Sequence, residues 1–178
     1  MQIIQLERIT RLGLLGEDLA TECLERDGFK VTNLNEEHAP NFPFADLLAA
    51  KDASRYFVGV KARNENRQGN VKLNESYNLA KIPDPLNKRL RAEGRTVDQI
   101  TAMLLAEVNS LAARHNAEAA WVTIPLRPLA GTYSAYFGTV AQLGNRRSVQ
   151  MTPQACATYR CLGRDLSDTR ITQDLLNL

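Results

Sequence analysis

The sequence predicts an α/β fold, a single domain over residues 1–178 with a central mixed β-sheet flanked by helices. Two observations carry the prediction. Stretches of helical periodicity alternate with short apolar runs of strand length, in the order helix, three strands, helix, strand, with a further strand and helix at the C-terminus. A chain of 178 residues with 44% apolar content is also long enough to bury one core, and one domain with extensions is its most economical form.

The elements follow in chain order. From Gln5 to Arg26 the apolar residues Leu12, Leu15, Leu19 and Cys23 recur at helical spacing, and the "DGF" that follows offers a glycine stop at Gly28. Gly13, Gly16 and Ala20 form a strip of small residues on one flank of this helix. They cost helix propensity, and close packing against a sheet explains their use. Phe29–Leu34 reads as a strand, and the prolines of "NEEHAPNFP" then impose a loop. Phe44–Ala50 and Tyr56–Arg63, joined by a polar turn at Asp52–Ser54, have the length and residue types of a β-hairpin. Asn64–Arg95 is polar, contains Pro83 and Pro85, and predicts long loops with one short helix.

Thr96 and Gln99 then form a capping-box pattern, opening a helix with Ile100, Met103, Leu104, Val108 and Leu111 on one face. "AAWVTIPL" is a buried strand, "SAYFGTVAQL" another, and "GNRR" a turn before "SVQM". Thr152 and Pro153 read as the N-cap and first turn of a C-terminal helix through "QACATYRCL".

A formal charge of +2 is too small to mark a nucleic-acid binder by itself, so the distribution matters. Met1–Val60 is net −4, whereas Lys61–Arg95 is net +5. Cys23, Cys156 and Cys161 form no CxxC pair and are odd in number, which points to structural burial in a reducing cytoplasm. His38 and His115 are far apart and give no zinc spacing. The N-terminal "MQIIQLERITRLGLL" has charges inside its apolar pattern, so neither a signal peptide nor a membrane span is expected.

The hairpin carries the chemistry. Side chains alternate across a strand, so Phe57, Gly59, Lys61 and Arg63 share one face. A turn near Ala53 sets Asp46 opposite Val60 and Lys61, within about one residue of register. Either charge buried alone would be costly, so their proximity to each other or to a metal and phosphate is physically sensible.

The helix "GLLGEDLATECLERDGF", followed by "PFADLLA" and "YFVGVKAR", resembles the PD-(D/E)XK nuclease superfamily, over roughly Leu12 to Arg63. The resemblance implies a restriction-endonuclease-like αβββαβ core. It makes Asp46 the motif aspartate, Lys61 the motif lysine and Glu17 the helix acid, while the second motif acid falls on Gly59 and is absent. It implies Mg²⁺ held by Asp46, Glu17 and the Val60 carbonyl, with metal-assisted hydrolysis of DNA phosphodiesters. Glu65 and Glu75 are weaker substitutes for the lost acid, because both lie beyond the strand.

Nucleic-acid contact is expected from Arg63 and from the basic region, Arg67 and Lys72 included. Arg146 and Arg147 read most simply as a polar turn. A homodimer is compatible with the resemblance. The competing expectation is a catalytically inactive descendant that keeps the fold and binds nucleic acid or protein. Gly59 itself reads either as a place of close backbone approach or as a loss of catalysis.

Overall fold

Apolar residues at helical spacing fold Gln2–Arg26 into α1 in the computed structural model, which describes residues 2–37, 44–65, 67–68, 71–72, 75–79, 84–173 and 175. Leu15, Leu19, Ala20, Cys23 and Leu24 of α1 are buried. Fully burying a leucine such as Leu19 contributes about 2 kcal/mol. Gly28 ends the helix at φ +89°, where a side chain would be strained, and the amides of Gly28 and Phe29 satisfy the carbonyls of Glu25 and Leu24.

The chain continues through β1 (Lys30–Asn33), the single turn α2 (Leu34–Glu37), β2 (Leu47–Lys51) and β3 (Ser54–Asn64). Short paired strands follow, β4 (Arg67–Gln68) with β5 (Val71–Lys72), and then β6 (Ser76–Asn78). Next come α3 (Asp84–Ala92), α4 (Val97–Arg114), β7 (Glu118–Arg127) and β8 (Thr132–Thr139). After a 3-10 turn at Val140–Leu143 the chain forms β9 (Ser148–Gln150), α5 (Pro153–Cys156) and β10 (Arg160–Ser167).

Six strands form the main sheet in the order β1-β2-β3-β7-β8-β10. Every neighbouring pair is antiparallel except β3 with β7, which run parallel. Parallel neighbours need a long crossover, and the segment carrying α3 and α4 supplies it. Val58, Val60, Ala120, Val122 and Ile124 pack with α1, whereas Phe57, Ala119 and Trp121 pack with Val108 and Ala112 of α4. Strand alternation thus sends β3 and β7 side chains into two cores, one on each face. The Trp121 indole N–H is satisfied by the Thr139 carbonyl at 3.1 Å.

The expected hairpin is present, with Leu47 opposite Val58 and Lys51 opposite Ser54. Its first strand begins at Leu47 rather than Phe44, because Phe44 adopts φ 66° and leaves the extended region. The Thr96–Gln99 capping box forms as expected. Ile100 and Val108 of the expected α4 face are buried, but the face is turned slightly: Met103 is 48% exposed, while Thr101 and Ala112 are buried.

Among the described residues, the region after Asn64 holds three short strands besides its helix. "SVQM" supplies β9, which pairs with β6 and not with β8. "QACATYRCL" is not a helix beyond Cys156. Tyr159 packs edge-on against Trp121 at 4.7 Å, and the chain then pairs Arg160 with Phe137 as β10. Pairing to a sheet edge overrides the local helical pattern. The register of β10 against β8 shifts twice, between Cys161 and Gly163 and between Gly163 and Leu166. None of the three cysteines is in a disulfide, and Cys23 is buried while Cys161 is exposed, so burial does not account for Cys161.

Candidate functional site

β2 and β3 are paired back to Leu47 and Val58, and there they part. Asp46 sits at the fork. Its amide donates to the Val58 carbonyl at 2.9 Å, and its carboxylate Oδ2 accepts the Val60 N–H at 2.6 Å. That side chain replaces the ladder bond that β3 would otherwise lose. A strand residue's N–H and C=O leave the same edge, so the Val60 carbonyl also projects toward the Asp46 side of β3.

α1 brings Glu17 to the same fork. Its close approach depends on Gly16: a β-carbon there would lie 2.5 Å from the Ala62 β-carbon on β3. Gly13 has no such neighbour within 4 Å, so the small-residue strip is a packing device at Gly16 and buried Ala20, not along its whole length.

Asn35, which sequence reasoning passed over, joins the two acids. Its side-chain amide donates to Glu17 Oε2 at 3.3 Å and also hydrogen-bonds Asp46. Its backbone is held by two hydrogen bonds. The Asn35 amide donates to Asn33 Oδ1 at 2.9 Å, and the Leu34 amide donates to the Asp46 carbonyl at 2.9 Å. Only the fold reveals this residue, because "NLNEE" carries no motif.

Burial pushes the Glu17 carboxyl up, and the Asp46 charge adds to it, while the Asn35 hydrogen bond and Lys61 oppose. Asp46 is likewise pushed up by burial, against Lys61, the Val60 N–H and Asn35. Glu17, Asp46 and Lys61 therefore share one electrostatic neighbourhood. Lys61 acts on both carboxyls through its field.

Arg63 is exposed, two residues beyond Lys61 on the same strand face, and its charge reaches the buried Tyr77. The backbones of Arg67 and Lys72 stand opposite each other in the β4–β5 pair, and their side chains lie outside the described residues. So does His38. Glu65 is engaged elsewhere: it pairs with Arg127 at 2.8 Å. Glu75 is exposed.

Gly59 marks a close backbone approach. A β-carbon there would lie 2.9 Å from the Phe44 carbonyl oxygen and 3.5 Å from its ring. Among the described residues, no three of His, Cys, Asp and Glu gather as a metal cluster. Two carboxylates and the carbonyl edge of β3 bring oxygens to the fork, while the Asn35 amide turns its N–H₂ end toward the acids. That set of oxygens fits a hard cation such as Mg²⁺, which is typically held by one or two carboxylates together with substrate phosphates.

No protein-family model, curated protein or solved structure matches this chain. No helix among the described residues is long and apolar enough to cross a membrane.

Proposed function

We propose that the fork between β2 and β3 is a phosphodiester-hydrolysing centre acting on DNA, with Glu17, Asp46 and the Val60 carbonyl holding Mg²⁺ and Lys61 beside them. The observation that carries the reading is that Asn35 joins Glu17 and Asp46, acids from separate elements, at one strand end, with the charge of Lys61 acting on both. The order α1, β1, β2, β3, α4, β7, with β7 parallel to β3, also agrees with the αβββαβ core of the PD-(D/E)XK superfamily.

A bound Mg²⁺ supplies charge stabilisation at the phosphoryl oxygens and a more acidic water. The chain's own groups do the rest. Asp46 is held by the Val60 N–H and cannot swing away from the fork. Glu17 is held over it by the Gly16–Ala62 approach. Lys61 presents a positive charge to the scissile phosphate and orients the attacking water, and Arg63 extends that charge along the same strand face. Farther along the chain, Arg91 of α3 and Arg147, from stretches distant in sequence, line one pocket with Asn87 and Thr101. Neither arginine is paired with a carboxylate among the described residues, which suits contact with backbone phosphates of a longer nucleic acid.

Purified protein is expected to nick or degrade DNA in the presence of Mg²⁺ or Mn²⁺, and to lose that activity on Asp46→Asn or Lys61→Ala with the fold retained. No cleavage of single- or double-stranded DNA with either metal would sink the reading. The Phe44 carbonyl against Gly59, where the superfamily carries its second acid, favours a second reading: a nucleic-acid-binding protein without catalysis. Its signature is binding that weakens steeply with salt and ignores both Asp46→Asn and added Mg²⁺.

A further inference from the structure

We infer that the Asn35 side-chain amide is the third side-chain oxygen ligand of the cation site at Glu17 and Asp46, in place of the carboxylate absent at position 59. The inference rests on the cation-site reading above and goes beyond it by assigning a residue that the motif lacks.

Position 59 cannot supply the ligand without moving backbone, because the Phe44 carbonyl oxygen lies 2.9 Å from where its β-carbon would stand. Glu65 cannot supply it either, since its carboxylate is committed to Arg127. Asn35 hydrogen-bonds both remaining acids through its side chain. Its place is also set by the site itself, because the preceding residue, Leu34, is hydrogen-bonded to the Asp46 backbone.

A primary amide has a donor end and an acceptor end of nearly equal size. Facing two bare carboxylates, Asn35 turns its N–H₂ end toward them. A cation between those carboxylates reverses the local field, and a half-turn about the last side-chain bond, which is broad and two-fold, presents Oδ1 instead. The same side chain thus holds the acids together when no cation is bound and ligates the cation when one is.

Calorimetric titration of the full chain with Mn²⁺ alone tests this, in wild type, Asn35→Ala and Asn35→Asp, with the metal-free Tm of each. Asn35→Ala is expected to weaken Mn²⁺ binding at least about tenfold. Asn35→Asp is expected to lower the metal-free Tm, because a third carboxylate joins two others and a donor is lost, and yet to bind Mn²⁺ more tightly than wild type. If Asn35 served only as a donor to the acids, Asn35→Asp would weaken binding as Asn35→Ala does, and that result overturns the inference. Wild-type binding matched by both variants overturns it equally. A wild-type chain that binds no Mn²⁺ at millimolar concentration overturns instead the cation-site reading on which it stands.

Discussion

The carbonyl oxygen of Phe44 lies 2.9 Å from the point where a β-carbon on residue 59 would stand. Real β-carbons are not found that close to a backbone oxygen, so the absence of a side chain at Gly59 and the left-handed turn at Phe44, φ 66°, are two halves of one arrangement.

Gly59→Ala is therefore expected to destabilise the protein by about 1–3 kcal/mol, the usual cost of overpacking a well-filled site. Gly59→Glu adds a buried charge to the same collision and is expected to be worse, so restoring the superfamily's acid does not restore a superfamily site. Urea unfolding measures both. A Gly59→Ala variant as stable as wild type would show that Phe44 gives way freely.

Two glycines on α1 are expected to respond with opposite signs. Gly13 faces open space, so Gly13→Ala is expected to stabilise by about 0.5–1 kcal/mol through helix propensity alone. Gly16→Ala meets the Ala62 β-carbon and is expected to cost about 1–3 kcal/mol while lifting Glu17 away from Asp46. Combining Gly16→Ala with Ala62→Gly relieves the collision, and recovery of both stability and Mn²⁺ affinity in the double variant is the decisive reading.

The acids of the site are expected to trade stability for their charge. Burial raises the Asp46 carboxyl above its ordinary value, so the folded protein holds that proton more tightly than the unfolded chain does. The resulting stabilisation is complete below the unfolded value of about 3.9, and it is lost as pH rises through the higher folded value. Asp46→Asn keeps an oxygen for the Val60 N–H and removes the charge. Its Tm is expected to exceed that of wild type at pH 7, by about 2–4 °C for each kcal/mol gained, with the advantage vanishing near pH 3. A wild-type Tm equal or higher at pH 7 would contradict it.

Arg127 ties together the far ends of β3, β7, β8 and β10. Its guanidinium donates to Glu65, Thr132, Ser134 and Asp165. Arg127→Leu leaves the Glu65 carboxylate, whose side chain is 9% exposed, buried without its countercharge, and is expected to cost about 3 kcal/mol. Adding Glu65→Gln is expected to recover part of that loss. Thermal unfolding of the single and double variants measures the coupling, and additive effects would dissolve the pair.

The hairpin was legible because strand alternation and a short turn leave little freedom. Leu47 opposite Val58 brings Asp46 within a residue of Val60, as the sequence predicts. Helix periodicity likewise located α1 and the capped start of α4. Asn35 was not legible, because its role depends on a single helical turn and on how closely α1 approaches β3, and neither leaves a periodic trace. Met103 and the segment through Tyr159 misled for a related reason: apolar residues at helical spacing do not say which of them a neighbouring sheet will claim.

β10 closes one side of the sheet, and its interrupted register has a bearing on how the protein behaves in company. A straight, unbroken border of free N–H and C=O groups invites strands from other chains. Here Gly163 and Asp165, the latter at φ 52°, break that border twice, and Arg160 and Arg164 set exposed charge along it. The protein can thus be concentrated without offering that rim as a template for fibrous aggregation.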